Sequence, residues 1–436
     1  MSTSLPKFKI KTVVWASGER FSMIVDPDTR MPLVGPTVFA MVEMRKNGLA
    51  HSTIKQAMGA IRILVSFLIS RQIDIAYRIH REGKLFEINE VEQLISLCKL
   101  SQSEIDSRLG CTITASRSIS KLKNPSTVRS MQKFRMRSSR SMPETVARGT
   151  ANIRLTYIQK YLEWVASREL IRADSEDSFY VLTQSKVDAA LGALVAKRIH
   201  RGNRKSKTKR RGLPVEVIKR LHDVLDPSSP ENPWRPGFNR YRNRLYIYWL
   251  LDVALRRGEL LALKLEDVSF SKKKAEIVRR PDNPDDPRTN APLVKGQERS
   301  LNINTALLAY TEEYLEMRRK FVTIRRHGYL FVSSRNGAAL SQSAARDIFY
   351  ALRRKVSGLP FNLSAHVFRH TWNTLFTNHA FETNMSEKTR EDLMKNQNGW
   401  SDKSRMPNYY SVTAIEKKSQ EESLKVQNKI HGMKKS

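Results

Sequence analysis

The sequence is short of cysteine, of negative charge and of long apolar runs, and each shortage excludes something. Cys98 and Cys111 are the only cysteines among 436 residues. Two are too few for a disulfide scaffold and have no metal-ligand spacing, so ordinary thiols in a reducing compartment are expected. No run of about 18 apolar residues is evident, and the N-terminal stretch MSTSLPKFKIKTVVW lacks the apolar core of a secretory signal. The expectation is a soluble, cytoplasmic protein with no membrane partner. Acidic residues are scarce in a way that says more: 43 Asp and Glu face 77 Lys and Arg, a net charge of +34. That excess calls for a polyanion, most simply nucleic acid, with binding that weakens steeply as salt rises. A basic protein that merely coats nucleic acid would satisfy the charge equally well.

The chain is too long for one ordinary core and suits two or three domains. FKIKTVVWASGERFSMIV, residues 8–25, alternates around ASGER as a β-hairpin, so residues 1–36 read as an N-terminal arm. From Thr37 the period changes to two amphipathic helices broken at Asn47-Gly48, the second capped near Ser52. Helical periodicity returns in NEVEQLISLCKL and in ETVARGTANIRLTYIQKYLEWVASREL, giving a helical region over 37–196. Residues 112–142 interrupt it. They are Ser-rich, contain no acid, and carry Arg117, Lys121, Lys123, Arg129, Lys133, Arg135, Arg137 and Arg140. Such a stretch is either a solvated insertion or a strand-tracking DNA contact.

A second basic run spans 197–212 and includes Arg201, Arg204, Lys205, Lys207, Lys209, Arg210 and Arg211, the pattern of a linker that wraps DNA between two globular parts. Beyond it, PVEVIKRLHDVL and YRNRLYIYWLLDVAL predict helices. KAEIVRR predicts a strand, and APLV and RSLNI predict strands on either side of KGQE. NTALLAYTEEYLEMRRKFV and SQSAARDIFYALRRKV predict further helices, continuing to the C-terminus. The fold class is therefore mainly α, with an α+β domain over 213–412 and a polar amphipathic helix or tail over 413–436.

Four segments of this second half each offer a phosphate-binding or proton-transferring side chain near apolar sequence. They are Arg256 in ALRRGEL, Lys295 in LVKGQERSLNI, His366 and Arg369 in SAHVFRHTW, and Tyr409 or Tyr410 in GWSDKSRMPNYYS. Singly, each has a plain explanation. Arg256 could pair with Glu259, Lys295 could sit in a solvated turn, His366 and His370 could be satisfied core histidines, and the tyrosines could cap an apolar face. Together they suit one substrate. A phosphodiester attacked in line gathers charge on its equatorial oxygens, which two bidentate arginines bind best without a metal. His366 and Arg369, three apart, would share a helical face. A tyrosine hydroxyl can be the nucleophile, and a lysine can protonate the leaving oxygen.

This set resembles the tyrosine recombinase, or phage integrase, family. The matching segments are RRGEL (256–260), KGQER (295–299), HVFRHT (366–371), GWS (399–401) and a tyrosine nine residues after Trp400. The resemblance covers roughly residues 213–415. It implies that Arg256 and Arg369 clamp the scissile phosphate, that Lys295 is the general acid, and that His366 moves protons and binds phosphate. Trp400 would pack or hydrogen-bond, Tyr409 would be the nucleophile with Tyr410 as the alternative, and Glu259 would orient the site. Arg257 is expected to point toward solvent or the DNA backbone. Ala254 stands where the family usually has Gly, and Phe368 where Leu is usual; both read as packing changes. The long stretch RPDNPDDPRTNAP before Lys295 suggests a displaced or mobile hairpin.

The function implied is site-specific recombination through a 3′-phosphotyrosine, with no cofactor, in the setting of a mobile element. The implied architecture is a C-shaped clamp, closed around double-stranded DNA by the basic linker. A homotetramer would act on two sites, the C-terminal helix docking on a neighbour, with accessory DNA-bending proteins as further partners. The protein would associate with the nucleoid when DNA-bound. A type IB topoisomerase-like or resolvase-like strand transferase and a silent DNA-binding accessory factor are the alternatives.

Overall fold

The computed structural model describes residues 6–119, 144–171, 178–197, 212–320 and 327–432. Two units emerge: Met1–Val14 with Arg20–Arg204, and Trp15–Glu19 with Lys205–Ser436. The chain divides inside the basic run 197–212. Its Arg201, Arg204, Lys205, Lys207, Lys209, Arg210 and Arg211 lie outside the described residues, as does most of the Ser-rich basic stretch.

In the first unit β1 (Lys9–Val14) pairs antiparallel with β2 (Arg20–Val25), Lys9 opposite Val25 and Val14 opposite Arg20. Helix α1 (Val34–Phe39) starts before Thr37 and runs into a π-helical turn, Ala40–Arg45. It is followed by α2 (His51–Ser70), α3 (Ile88–Cys98), α4 (Gln102–Ile119), α5 (Arg148–Leu170) and α6 (Ser178–Ala196). The sequence reading had no separate helix at α4 or α6. Nor does Ser52 cap α2: Ala50 holds that place, with no side-chain hydrogen bond.

By length and composition α2 would be long and apolar enough to cross a membrane, which the sequence reading did not anticipate. Its apolar residues are spaced for a buried face. Ile54, Met58, Ile61 and Leu64 belong to one buried core with Ile24 of β2, Leu155, Ile158 and Leu162 of α5, and Val187, Leu191 and Leu194 of α6. Burying one such side chain is worth about 1.5–3 kcal/mol, so this face holds the unit together. Cys98 is buried at the end of α3, and burial pushes its thiol up to about 12.

The second unit orders its elements as α7 (Val215–Leu225), α8 (Phe238–Asp252), α9 (Arg257–Ala262), β3 (Val268–Ser269), β4 (Lys274–Ile277), β5 (Arg299–Asn302), α10 (Thr305–Arg318), α11 (Gln342–Lys355), α12 (Ala365–Glu382), α13 (Glu387–Asn398) and α14 (Met406–Gly432). The three strands form an antiparallel sheet in sequence order. Helix α8 is buried on nearly every face because it runs through the core. Leu245, Tyr246, Trp249 and Leu250 meet Leu307 and Tyr314 of α10, Phe349 of α11 and Phe368 of α12. Arg242, buried on the same helix, donates to the Val332 carbonyl at 3.2 Å, satisfying a charge the core could not otherwise hold.

One sequence expectation changes here. APLV is not a strand: β4 pairs directly with β5, Ile277 opposite Arg299, and Lys295 belongs to the long connection between them. Pro281, Pro284, Pro287 and Pro292 leave that connection short of backbone donors, which a ladder cannot spare. Helix α14 runs unbroken through residues 412 and 413, and Tyr409 and Tyr410 lie near its beginning.

Candidate active site

Glu259 is the centre of the site. It lies on α9 and is 1% exposed, and a carboxylate so placed needs partners. It has three. The Arg256 backbone N–H donates to Oε2 at 2.9 Å and Arg256 Nη1 to Oε1 at 2.7 Å. Arg299 Nη2 donates to Oε2 at 2.9 Å. Arg369 Nη1 stands 3.8 Å from Oε2. Burial alone would raise the Glu259 pKa, but Arg299, Arg369 and the Arg256 N–H outweigh it and hold the pKa below the ordinary carboxylate value.

One carboxylate does not balance three guanidinium groups, and the excess positive charge falls hardest on Arg369. Burial, then the nearby charges of Arg256 and Arg299, push its pKa down to about 9 against the pull of Glu259. The cluster is electrostatically incomplete without a further anion. Arg256 gives that anion access: its side chain is 29% exposed, whereas those of Arg299 and Arg369 are 3% and 4%. The Arg256 charge is therefore met twice, by one carboxylate within the protein and by an open side.

Backbone carbonyls complete the arrangement. Arg369 Nη1 donates to the Ala254 oxygen at 2.7 Å and Nη2 to the Asn398 oxygen at 2.6 Å. Arg256 Nη1 donates to the same Asn398 oxygen at 3.1 Å, and Arg299 Nε to the Gln397 oxygen at 2.9 Å. Two successive carbonyls at the C-terminal end of α13, the negative end of its dipole, thus face all three arginines. Gly399 ends the helix at φ +57°. A Cβ there would stand 2.6 Å from Arg299 Nη1 and 2.9 Å from the Gln297 oxygen, so glycine is required on two counts.

Ala254 is in the left-handed region too, at φ +57°. The family's usual Gly at this position is therefore a backbone requirement, not the packing change inferred from sequence. Ala254→Gly should relieve roughly 0.5–1 kcal/mol net of the entropy glycine loses on folding. Calorimetry should show the second unit's melting temperature raised by about 1–4 °C, and a lower temperature would contradict this reading. Phe368 is a packing change: its buried ring lies 5.7 Å from that of Phe349.

Of the expected site residues, Arg256, Glu259, Arg369 and Trp400 converge here. The Arg369 guanidinium sits 5.5 Å over the Trp400 ring, which stacks on Tyr410 at 6.1 Å and 18°. Tyr410 is buried, and its hydroxyl shares a 2.8 Å hydrogen bond with His370 Nδ1. Burial pushes the Tyr410 hydroxyl up to about 12 despite Arg369 and Arg256. Tyr409 is half-buried, its ring 5.4 Å from that of Tyr410 and 6.2 Å from that of His370. His366 is exposed, 4.4 Å from the His370 ring. Lys295 is exposed and its side chain is not drawn into the cluster, but the next residue is. A Cβ on Gly296 would lie 2.6 Å from Arg256 Nη1 and 2.7 Å from the Gly399 oxygen. Arg257, expected to face outward, is half-buried and within electrostatic reach of the buried Tyr246 hydroxyl.

Sequence reasoning gave no role to Arg299, Gly296 or Asn398, and read His370 only as a satisfied core histidine. KGQER held two of them in plain view; Asn398 offered no signal, because its backbone oxygen is what counts. Among the described residues, no group of three or more His, Cys, Asp or Glu side chains could hold a metal ion.

Comparison with known proteins assigns residues 213–414 to the phage integrase family. Transposase A from transposon Tn554 of Staphylococcus aureus is 23% identical over 148 residues, 34% of this chain and 39% of that protein. The chain thus spans about two-fifths of that relative's length. Among solved structures, XerH recombinase bound to palindromic difH substrate matches with TM-score 0.38 and 16% identity, over 85% of this chain and 97% of that one. XerA recombinase matches with TM-score 0.33 and 17% identity, over 60% and 77%. The buried arginine cluster, the His-x-x-Arg helix and the tyrosines of α14 all fall within residues 213–414, the part of the chain that matches the phage integrase family.

Proposed function

We propose that the protein is a site-specific DNA recombinase of a mobile element, cutting and rejoining strands through a 3′-phosphotyrosine. One observation carries the reading: three arginines gathered on one buried glutamate, left short of negative charge, with one of them open to solvent. A phosphodiester supplies that charge, and its transition state supplies more, so the site favours the transition state over the bound substrate.

In this reading Arg256 and Arg369 hold the non-bridging oxygens. The Tyr409 hydroxyl attacks phosphorus, losing its proton toward the His366–His370 pair, while the bond to the 5′-oxygen breaks. Lys295 protonates that oxygen from the segment anchored by Gly296. The phosphotyrosine keeps the bond energy, and attack by a 5′-hydroxyl reverses the step on a new strand. Tyr409 is preferred to Tyr410 because it stands nine residues after Trp400, whereas the Tyr410 hydroxyl is buried in a hydrogen bond with His370. Glu259 and Trp400 act by fixing the arginines.

The proposal extends to the whole chain. Residues 1–36 and 37–196 would bind DNA beside the core site, and the linker 197–212, with Arg201, Arg204, Lys205, Lys207, Lys209, Arg210 and Arg211, would track the phosphates around the duplex. The catalytic part would span 213–412, and the remainder of α14 would contact a neighbouring protomer. Four protomers would act on two sites, since exchanging both strands takes two rounds of cleavage. The transposon origin of the Staphylococcus aureus relative supports the mobile-element setting. To test the reading, the protein is incubated with DNA from the ends of its own element in the presence of a chelator, denatured and run on a gel. A protein–DNA adduct resistant to denaturation is expected; DNA that is bound without any adduct would overturn the proposal.

A further inference from the structure

The carbonyl that both clamp arginines share is held by a side-chain device that the family motifs do not contain. Asn398 is completely buried at the end of α13, and Asn373 is completely buried one turn beyond Arg369 on α12. Their side-chain amides face each other. Asn398 Nδ2 donates to Asn373 Oδ1 at 2.7 Å, and Asn373 Nδ2 donates back to Asn398 Oδ1 at 3.1 Å. Each amide has one N–H left. Asn373 spends it on the Arg369 carbonyl at 2.7 Å, and Asn398 on the Met394 carbonyl at 2.9 Å. All four donors are thus used, with no alternative partner needed.

The closed amide ring stitches the turn of α12 that carries Arg369 to the last turn of α13. It does so through Asn398, whose own backbone oxygen accepts from Arg256 and Arg369. A buried apolar contact would hold the two helices together but tolerate sliding. A reciprocal hydrogen-bonded pair permits one register, because either shift leaves buried amide groups unsatisfied. Below it, Met394 is buried and Thr377 Oγ1 donates to the Asn373 oxygen at 2.8 Å, so the pair rests on a packed floor.

We infer that Asn373 and Asn398 are positioning residues for the phosphate clamp, fixing the common carbonyl that sets the spacing of Arg256 and Arg369. The inference rests on the recombinase reading, since it is the reaction that exposes the register.

The test compares Asn373→Leu, Asn398→Leu and the double variant, reading melting temperature, DNA affinity, and the rate of adduct formation at saturating DNA, well below each variant's own melting temperature. Each single variant orphans the partner amide and should lose stability and rate together. The double variant replaces the pair with apolar groups of similar size and should recover most of the melting temperature. Its rate should stay roughly 10²-fold below that of the unmodified protein, with DNA affinity little changed, because the carbonyl is no longer held in register. If the leucine pair does not fold, Asn373→Asp and Asn398→Asp carry the test. They add no volume, remove the same donors, and should show the same loss of rate in folded protein. Full rate in folded double-leucine or aspartate variants would overturn the positioning role alone. No adduct from the unmodified protein would overturn the recombinase reading, and this inference with it.

Discussion

Replacing Tyr409 by Phe should abolish covalent capture of DNA, lowering adduct formation by at least about 10³-fold, as loss of a nucleophile does elsewhere. DNA binding should persist, because the phenol contributes little to phosphate contacts. Tyr410→Phe should behave differently. It removes one hydrogen bond, to His370 Nδ1, and leaves the stacked ring on Trp400 in place. A bond of that kind is worth about 1 kcal/mol, so the rate should fall by roughly 5–10-fold and the protein should lose a little stability. The two variants share a position in the fold to within one residue, so any general damage to α14 would affect both. The measurement is the rate of adduct formation for each, with DNA affinity determined separately. Equal rates in the two variants would contradict the assignment.

Glu259→Gln should be the most destabilising single change in the second unit that keeps side-chain size. The carboxylate meets Arg256, Arg299 and Arg369, and the amide would set an NH2 group against at least one of them. Removing one member of a buried charged network costs about 3–5 kcal/mol. For a unit of this size that corresponds to a fall of about 6–20 °C in melting temperature. The pH dependence has a definite sign. Because the folded pKa of Glu259 lies below its unfolded value, its contribution is complete above the unfolded pKa of about 4.3 and is lost as pH falls through the folded value. The variant should therefore differ most from the unmodified protein near neutral pH, and the gap should narrow as acid protonates Glu259. A gap that widens in acid would contradict this, as would a melting temperature unchanged at neutral pH.

Much of the site could be read in the sequence because its parts are side chains in short motifs. Arg256, Glu259, Arg369 and Trp400 are brought together because each motif places its residue in a helix or directly beside a helix end: Glu259 and Arg369 within α9 and α12, Arg256 at the N-cap of α9, and Trp400 just past the C-cap of α13. What the sequence concealed was mostly backbone. The carbonyls of Ala254, Gln397 and Asn398 carry no residue-type signature, yet they hold the three arginines. The left-handed conformation of Ala254 was hidden because alanine does not advertise a positive φ as glycine does. APLV misled because Ala-Pro-Leu-Val is apolar for a different reason: Ala291 and Val294 are buried in a connection, not paired in a ladder. Helix α6 escaped notice because it is apolar over much of its surface, with Val181, Leu182 and Val195 exposed, so no clean helical period stands out.

The apolar faces of α2 and α5 declared the first unit's core clearly, because they recur at three- and four-residue spacing. In the second unit α8 is buried nearly all round, and it carries three arginines, Arg240, Arg242 and Arg244, a residue type usually found in solvent. They are core residues, accommodated by carbonyls for Arg240 and Arg242 and by Glu313 for Arg244. A charged residue in a helix thus marks solvent only when no acceptor is folded over it.

The most direct test of tyrosine chemistry at this site is to map the amino acid that carries the DNA. Adduct formed with DNA from the element's ends would be digested with nuclease and protease, and the nucleotide-bearing peptide sequenced by tandem mass spectrometry. A nucleotide 3′-phosphate joined to the Tyr409 oxygen is the result predicted. Attachment to Tyr410 or any other residue, or strand cleavage with no nucleotide left on the protein, would contradict it.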